Sequence, residues 1–196
     1  MKKTILILLA TFICINTFGQ QIGGIYYKDT RLDYSRVISK KIGNILGAYV
    51  TVGLSSAKRQ LILEGDEAST EIHETKPKFQ MRFGKDKQTG YVFENTDNMK
   101  YIILVRINGK KGKRSIQAGT YGITNIKSGI DDKNIIAMSI EIEDDSTYTV
   151  CPKKDLEPGE YGFYFNNSQK EKDSEENKEI KSKNSFEGVF DFKIRN

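Results

Sequence analysis

The sequence predicts an all-β, mainly antiparallel fold, and three observations carry that reading. From about Ala57 onward apolar residues recur at every second position, β-branched and aromatic types fill those positions, and glycine or polar turn residues separate the runs. Successive side chains of an extended chain point to opposite faces, so such alternation sets one face of each strand on a core.

The elements follow in order. Phe79, Met81 and Phe83 alternate with Lys78, Gln80 and Arg82 in a half-buried strand opened by Pro77. Tyr101 to Ile107 is apolar on both faces, the pattern of a strand in the middle of a sheet. It runs into Asn108-Gly109, a pair suited to a tight hairpin because both central residues of that turn need positive φ. Ile136, Met138, Ile140 and Ile142 share one face, and Tyr148 and Val150 begin the next strand across the polar turn Glu143-Asp144-Asp145-Ser146. Tyr161, Phe163 and Phe165 share a face of the following strand. The last run sets Phe186, Gly188, Phe190, Phe192 and Ile194 against Glu187, Val189, Asp191, Lys193 and Arg195, which reads as a strand with one wet face. Between these two strands, residues 166–185 carry Ile180 as their one apolar residue. Such a composition buries too little surface to offset the entropy of ordering it, so a long mobile charged loop is expected there.

The first residues have the parts of an export signal. Lys2 and Lys3 give a positive start, Ile5 to Ile15 an apolar run, and Asn16-Thr17-Phe18-Gly19 a short polar stretch with small residues. The run is well short of the roughly 20 residues that cross a bilayer. Cleavage after Gly19 is expected, with no transmembrane segment in the mature chain and a working place in the periplasm or at the cell surface. The organisation is then residues 1–19 as signal peptide, 20–56 as an N-terminal segment and 57–196 as the β domain. Within the N-terminal segment Ile38, Ile42, Ile45, Leu46 and Tyr49 follow helical spacing. Gly43 and Gly47 each weaken a helix by about 1 kcal/mol, and Tyr26-Tyr27 and Val50-Thr51-Val52 suit strands. A short helix and a pair of strands both stay open.

The chain carries 31 Lys and Arg against 26 Asp and Glu, a net charge of +5. The charges are well mixed, so the surface suits a soluble protein and no nucleic-acid partner is expected. Of the two cysteines Cys14 lies in the leader, which leaves Cys151 alone and stability to packing.

Leu156-Glu157-Pro158-Gly159-Glu160-Tyr161 carries the most fold information. Its L-x-P-G-x-Y pattern resembles the turn-into-strand corner of extracellular β-sandwiches, among them immunoglobulin, fibronectin-like and prealbumin-like modules. The resemblance implies a β-sandwich in which the tyrosine hydroxyl bonds back to the preceding loop and pins a connection between sheets. Leu156, Pro158, Gly159 and Tyr161 are then structural residues. Ala118-Gly119-Thr120-Tyr121-Gly122-Ile123 echoes the motif through Gly119, Tyr121 and Gly122, as a second such corner would. More broadly, the glycine-rich stretch from Gly43 to Gly53, Pro77-Lys78-Phe79, a basic hairpin, the corner and a closing Phe190-Asp191-Phe192 are together similar to uncharacterised secreted bacterial β-sandwich proteins. That likeness implies no activity.

The residue types restrict the chemistry. After the leader, His73 and Cys151 are the only histidine and cysteine, too few for a zinc site of those ligands, and no cofactor is expected. A Cys151–His73 nucleophile pair is formally open, but Cys151 falls at a strand end before Pro152 and His73 in a polar connector. No G-x-x-x-x-G-K-[ST] phosphate loop occurs. Glu141, Glu143, Asp144 and Asp145 form the densest acidic group, for a carboxylate pair or an oxygen-ligated cation, and read more simply as a solvated turn. Tyr26, Tyr27, Tyr161 and Tyr164 offer faces for sugars, though aromatics on alternating strands suit a core. The strongest local charge is Lys110, Lys111, Lys113 and Arg114 on the hairpin tip, which could meet a polyanion such as an acidic glycan and reads more simply as a solvated tip that discourages aggregation. The expectation is an exported, non-catalytic binding or interaction module with a protein or glycan partner. The alternatives are a secreted carboxylate-dependent hydrolase and an accessory subunit of a surface assembly.

Overall fold

The computed structural model describes residues 22–43, 57–85, 90–110, 112–121, 126–130, 132–166 and 188–195. The expected signal peptide of residues 1–19, the stretch holding Ile45, Leu46 and Tyr49, Lys111, Gly122-Ile123, Phe186-Glu187 and all but the first residue of the charged loop lie outside the described residues.

The fold is all-β and mostly antiparallel. One sheet has five strands in the order β11 (Met138–Ile142), β12 (Thr147–Pro152), β6 (Phe79–Arg82), β1 (Gly24–Tyr27) and β2 (Thr30–Arg31). The other is built around β7 (Ile102–Lys110), β13 (Gly159–Phe165), β14 (Gly188–Ile194), β3 (Tyr34–Ile42), β4 (Ala57–Leu63) and β8 (Lys113–Tyr121). Because β7 pairs with β13 on one side and with β8 on the other, these six strands close into a barrel. Short strands β9 (Ile126–Ser128) and β10 (Ile135–Ile136) attach to β8 and β7, and β5 (Glu71–Ile72) runs parallel to β14.

This corrects the expected immunoglobulin- or prealbumin-like sandwich. A six-stranded barrel stands where the second sheet of a sandwich would lie, and the five-stranded sheet covers one of its walls. Residues 22–43 belong to both sheets: β1 lies in the five-stranded sheet beside β6, and β3 pairs with both β14 and β4 in the barrel. Ile38 and Ile42 therefore lie on a strand.

Two cores follow from the closure. The larger lies between sheet and barrel wall and holds Ile25, Phe79, Met81 and Val150 from the sheet against Leu104, Tyr161, Phe163, Phe165, Phe190 and Phe192. The smaller fills the barrel with Leu61, Leu63, Val105, Ile107, Ile116, Ala118 and Val189. Tyr101 to Ile107 is apolar on both faces for this reason: Leu104 meets the sheet while Val105 points into the barrel. The same geometry corrects the wet face expected for the last strand. Val189 and Asp191 alternate with Phe190 and Phe192 but enter the barrel, where both are buried.

The basic hairpin also differs from its sequence reading. Asn108 pairs with Ser115, Gly109 with Arg114 and Lys110 with Lys113, so Asn108-Gly109 lies within β7 and the reversal comes two residues later. Gly112 takes the positive φ there, at 67°. Among the described residues no helix is long and apolar enough to cross a membrane.

Candidate functional site

The shift in the hairpin decides the fate of its cations. Arg114 is in phase with Ile116 and Ala118, which face the barrel interior, so its side chain follows them inward and is 1% exposed. Its guanidinium meets the carboxylate of Asp191, also 1% exposed, and donates from Nε to Glu160 Oε2 at 2.7 Å. It further donates to Ser35 Oγ at 3.1 Å and to the Glu64 carbonyl at 3.0 Å. Ser35 Oγ donates to Asp191 Oδ2 at 2.7 Å. Burial is the largest influence on the Asp191 carboxyl and raises it from its ordinary value, against the hydrogen bonds from Arg114 and Ser35. Burial opposes the Arg114 charge too, but Asp191 and Glu160 outweigh it and hold the guanidinium protonated. Arg114 is thus a structural ion inside the barrel and no part of a polyanion-binding tip. Lys113 is exposed, Lys110 ends β7, and Lys111 lies outside the described residues.

The remaining candidates are placed as follows. His73 is exposed, and Cys151 is half-buried with its thiol toward the Lys76 and Pro152 carbonyls. Among the described residues no group of three His, Cys, Asp or Glu side chains could hold a metal ion. Glu143 accepts from Gln80 Nε2 at 3.1 Å and from the Thr149 hydroxyl, while the Ser146 amide donates to Asp144 Oδ1 at 2.7 Å. Of the tyrosines, Tyr26 lies under Arg82, Tyr27 packs on Phe79, and Tyr164 leans into the barrel core.

The corner residues lead to a different site. Tyr161 Oη donates to the Glu157 carbonyl, four residues back, at 2.8 Å, and its ring stacks on Phe192. This fixes the loop that carries the chain from β12 in the sheet to β13 in the barrel. Leu156 anchors the loop by burial, and its amide donates to the Thr75 carbonyl at 2.6 Å. Gly159 adopts φ 152° beside the Arg106 guanidinium, which itself pairs with Glu157 at 2.8 Å. Tyr161→Phe is expected to cost about 1 kcal/mol, the net worth of one such hydrogen bond, in a chemical-denaturation measurement.

Between this loop and β10 lies a cleft of about 550 Å³, within the range of small-ligand sites. Leu156, Ile136, Ala137 and Tyr161 supply apolar lining, and Arg106, Lys133, Lys153 and Lys154 outnumber the acids Asp155 and Glu157. Asn134 also lines it, and its Nδ2 is buried without a hydrogen-bond partner. The cleft arises because the chain leaves β10 in one sheet and enters β11 in the other at Ala137, whose carbonyl accepts from the Lys153 amide at 2.9 Å. Sequence reading found its Tyr161 corner but missed the cleft, whose cations come from distant segments. The adjacent pair Lys153-Lys154 just before the corner was the available signal.

No family model, no curated protein and no solved structure matches the chain.

Proposed function

We propose that the protein is an exported, non-catalytic binding module of the periplasm or cell surface, and that the cleft beside the Tyr161 corner takes an anionic glycan. The observation that carries the reading is the cleft lining, in which four cations face two acids around an apolar floor with one unpaired buried amide donor. The aliphatic lining of Ile135, Ile136 and Leu156 suits the apolar side of a sugar. Lysine and arginine suit its carboxylate or sulfate groups, and the Asn134 amide would gain the hydrogen bond it lacks. Export itself rests on the leader of residues 1–19. The hydrolase alternative needs two carboxylates facing each other across a substrate. Asp155 and Glu157 stand on one loop, and Glu157 is held by Arg106, which favours binding over cleavage.

Titration with a sulfated or uronate oligosaccharide, followed residue by residue by NMR, is expected to shift the signals of Asn134, Lys153 and Lys154 first. Shifts confined to the hairpin around Lys110 and Lys113 would remove the cleft from the reading.

A further inference from the structure

Strand β11 is the outer strand of the five-stranded sheet, and its sequence Met138-Ser139-Ile140-Glu141-Ile142 has no described strand on its other side. The strand is apolar on one face, yet Ile140 is 49% and Ile142 74% exposed. Register explains why. Ile140 and Ile142 pair with Val150 and Tyr148 and so continue the apolar face of the sheet, but they overhang the part that the barrel covers. Edge strands of soluble proteins are ordinarily blunted by lysine, proline or a bulge, and β11 carries none of these.

The backbone parity of this edge is equally specific. The Glu143 amide donates to Thr147 and the Lys153 amide to Ala137, both at 2.9 Å. Hydrogen-bonded pairs alternate along an antiparallel ladder, so the odd-numbered residues bond to β12. The N–H and C=O groups of Met138, Ile140 and Ile142 therefore point outward.

We infer that β11 pairs antiparallel with β11 of a second copy of this chain, about a two-fold axis at Ile140. The apolar-polar pattern is symmetric about that residue, as a self-complementary edge requires. In this register Met138 faces Ile142, Ile140 faces its own counterpart, and Glu141 faces Ser139. The outward groups form about six backbone hydrogen bonds. Centring one residue later would set Glu141 directly against Glu141, which like-charge repulsion disfavours. A contact of one short strand per copy falls below the roughly 1,200 Å² of a stable interface, so a dissociation constant in the micromolar range is expected.

Sedimentation velocity of the purified chain across about 1–200 µM tests this. The expected result is a reversible dimer whose dissociation constant rises at least about tenfold in Ile140→Lys, which sets two cations face to face, and in Ile142→Lys at a site already exposed. Ser139→Lys, placed opposite Glu141, is expected to tighten the dimer, a response that a nonspecific apolar contact would not give. Thermal unfolding of each variant separates lost pairing from lost fold, and Ile142→Lys decides the matter if Ile140→Lys unfolds. A chain that stays monomeric throughout overturns the inference and leaves the edge to a strand of another protein. A dimer untouched by both lysine variants at β11 overturns it as well.

Discussion

Asp191→Ala is expected to destabilise the protein by roughly 3–5 kcal/mol, because it leaves the Arg114 guanidinium buried in the barrel without its closest counter-ion. Glu160, Ser35 and the Glu64 carbonyl remain as partners, but Arg114 is 1% exposed and no water replaces the lost carboxylate at low cost. A second variant separates this loss from mere loss of volume. Replacing both ions together, Arg114→Met with Asp191→Leu, in a Glu160→Gln background so that no carboxylate is left without its cation, removes the charges and keeps apolar bulk, and is expected to cost much less than the single change. Urea unfolding of the two single variants and the double variant gives the coupling directly. Additive costs would show that the two side chains do not act as a pair.

Phe79→Ala is expected to cost a similar roughly 3–5 kcal/mol, the range for truncating a buried phenylalanine. Its ring centroid lies 4.8 Å from Phe192 and 5.0 Å from Phe163 on the barrel wall, and 5.8 Å from Tyr27 in its own sheet. Phe79 is thus, with Ile25, Met81 and Val150, one of the side chains through which the sheet grips the barrel. Hydrogen exchange should respond unevenly: amides of β1, β6 and β12 lose protection first, while β4 and β8, which enclose the inner core, retain theirs longer. Uniform loss of protection would show that the two cores unfold as one.

The local periodicities of the fold were legible in the sequence, and its closure was not. Phe79-Met81-Phe83 and Tyr161-Phe163-Phe165 read as strands because their alternation reports a single buried face. The tyrosine corner was legible from six residues, since its hydrogen bond spans four positions of the chain. Closure depends on β7 meeting β13 as well as its hairpin partner β8, and on β4 meeting β8, and the β7–β13 and β4–β8 pairings join segments far apart that no local pattern encodes. Misjudging it misplaced the last strand, whose Val189 and Asp191 face an interior and not solvent. The same error set Arg114 on the surface. Its phase with Ile116 and Ala118 was the sign that it turns inward, obscured by the run of lysines before it. Asn108-Gly109 suggested a turn that Gly112 provides, because glycine at either place satisfies the turn's dihedral demand.

For the candidate site, the chain supplied its residue types without their assembly. Lys153 and Lys154 adjoin the corner, but Arg106 and Lys133 reach the cleft only through the pairing of β7 with β13 and β10. The proposed site therefore belongs to the fold more than to any motif.

The most direct test is binding of the purified chain to an array of glycans and other polyanions at two salt concentrations, beside the cleft variant Lys153→Ala/Lys154→Ala and the hairpin variant Lys113→Ala. The expected result is binding to an acidic glycan that weakens as salt rises, is lost in the cleft variant and persists in the hairpin variant. Binding that survives the cleft variant, or none to any anionic glycan, would contradict it.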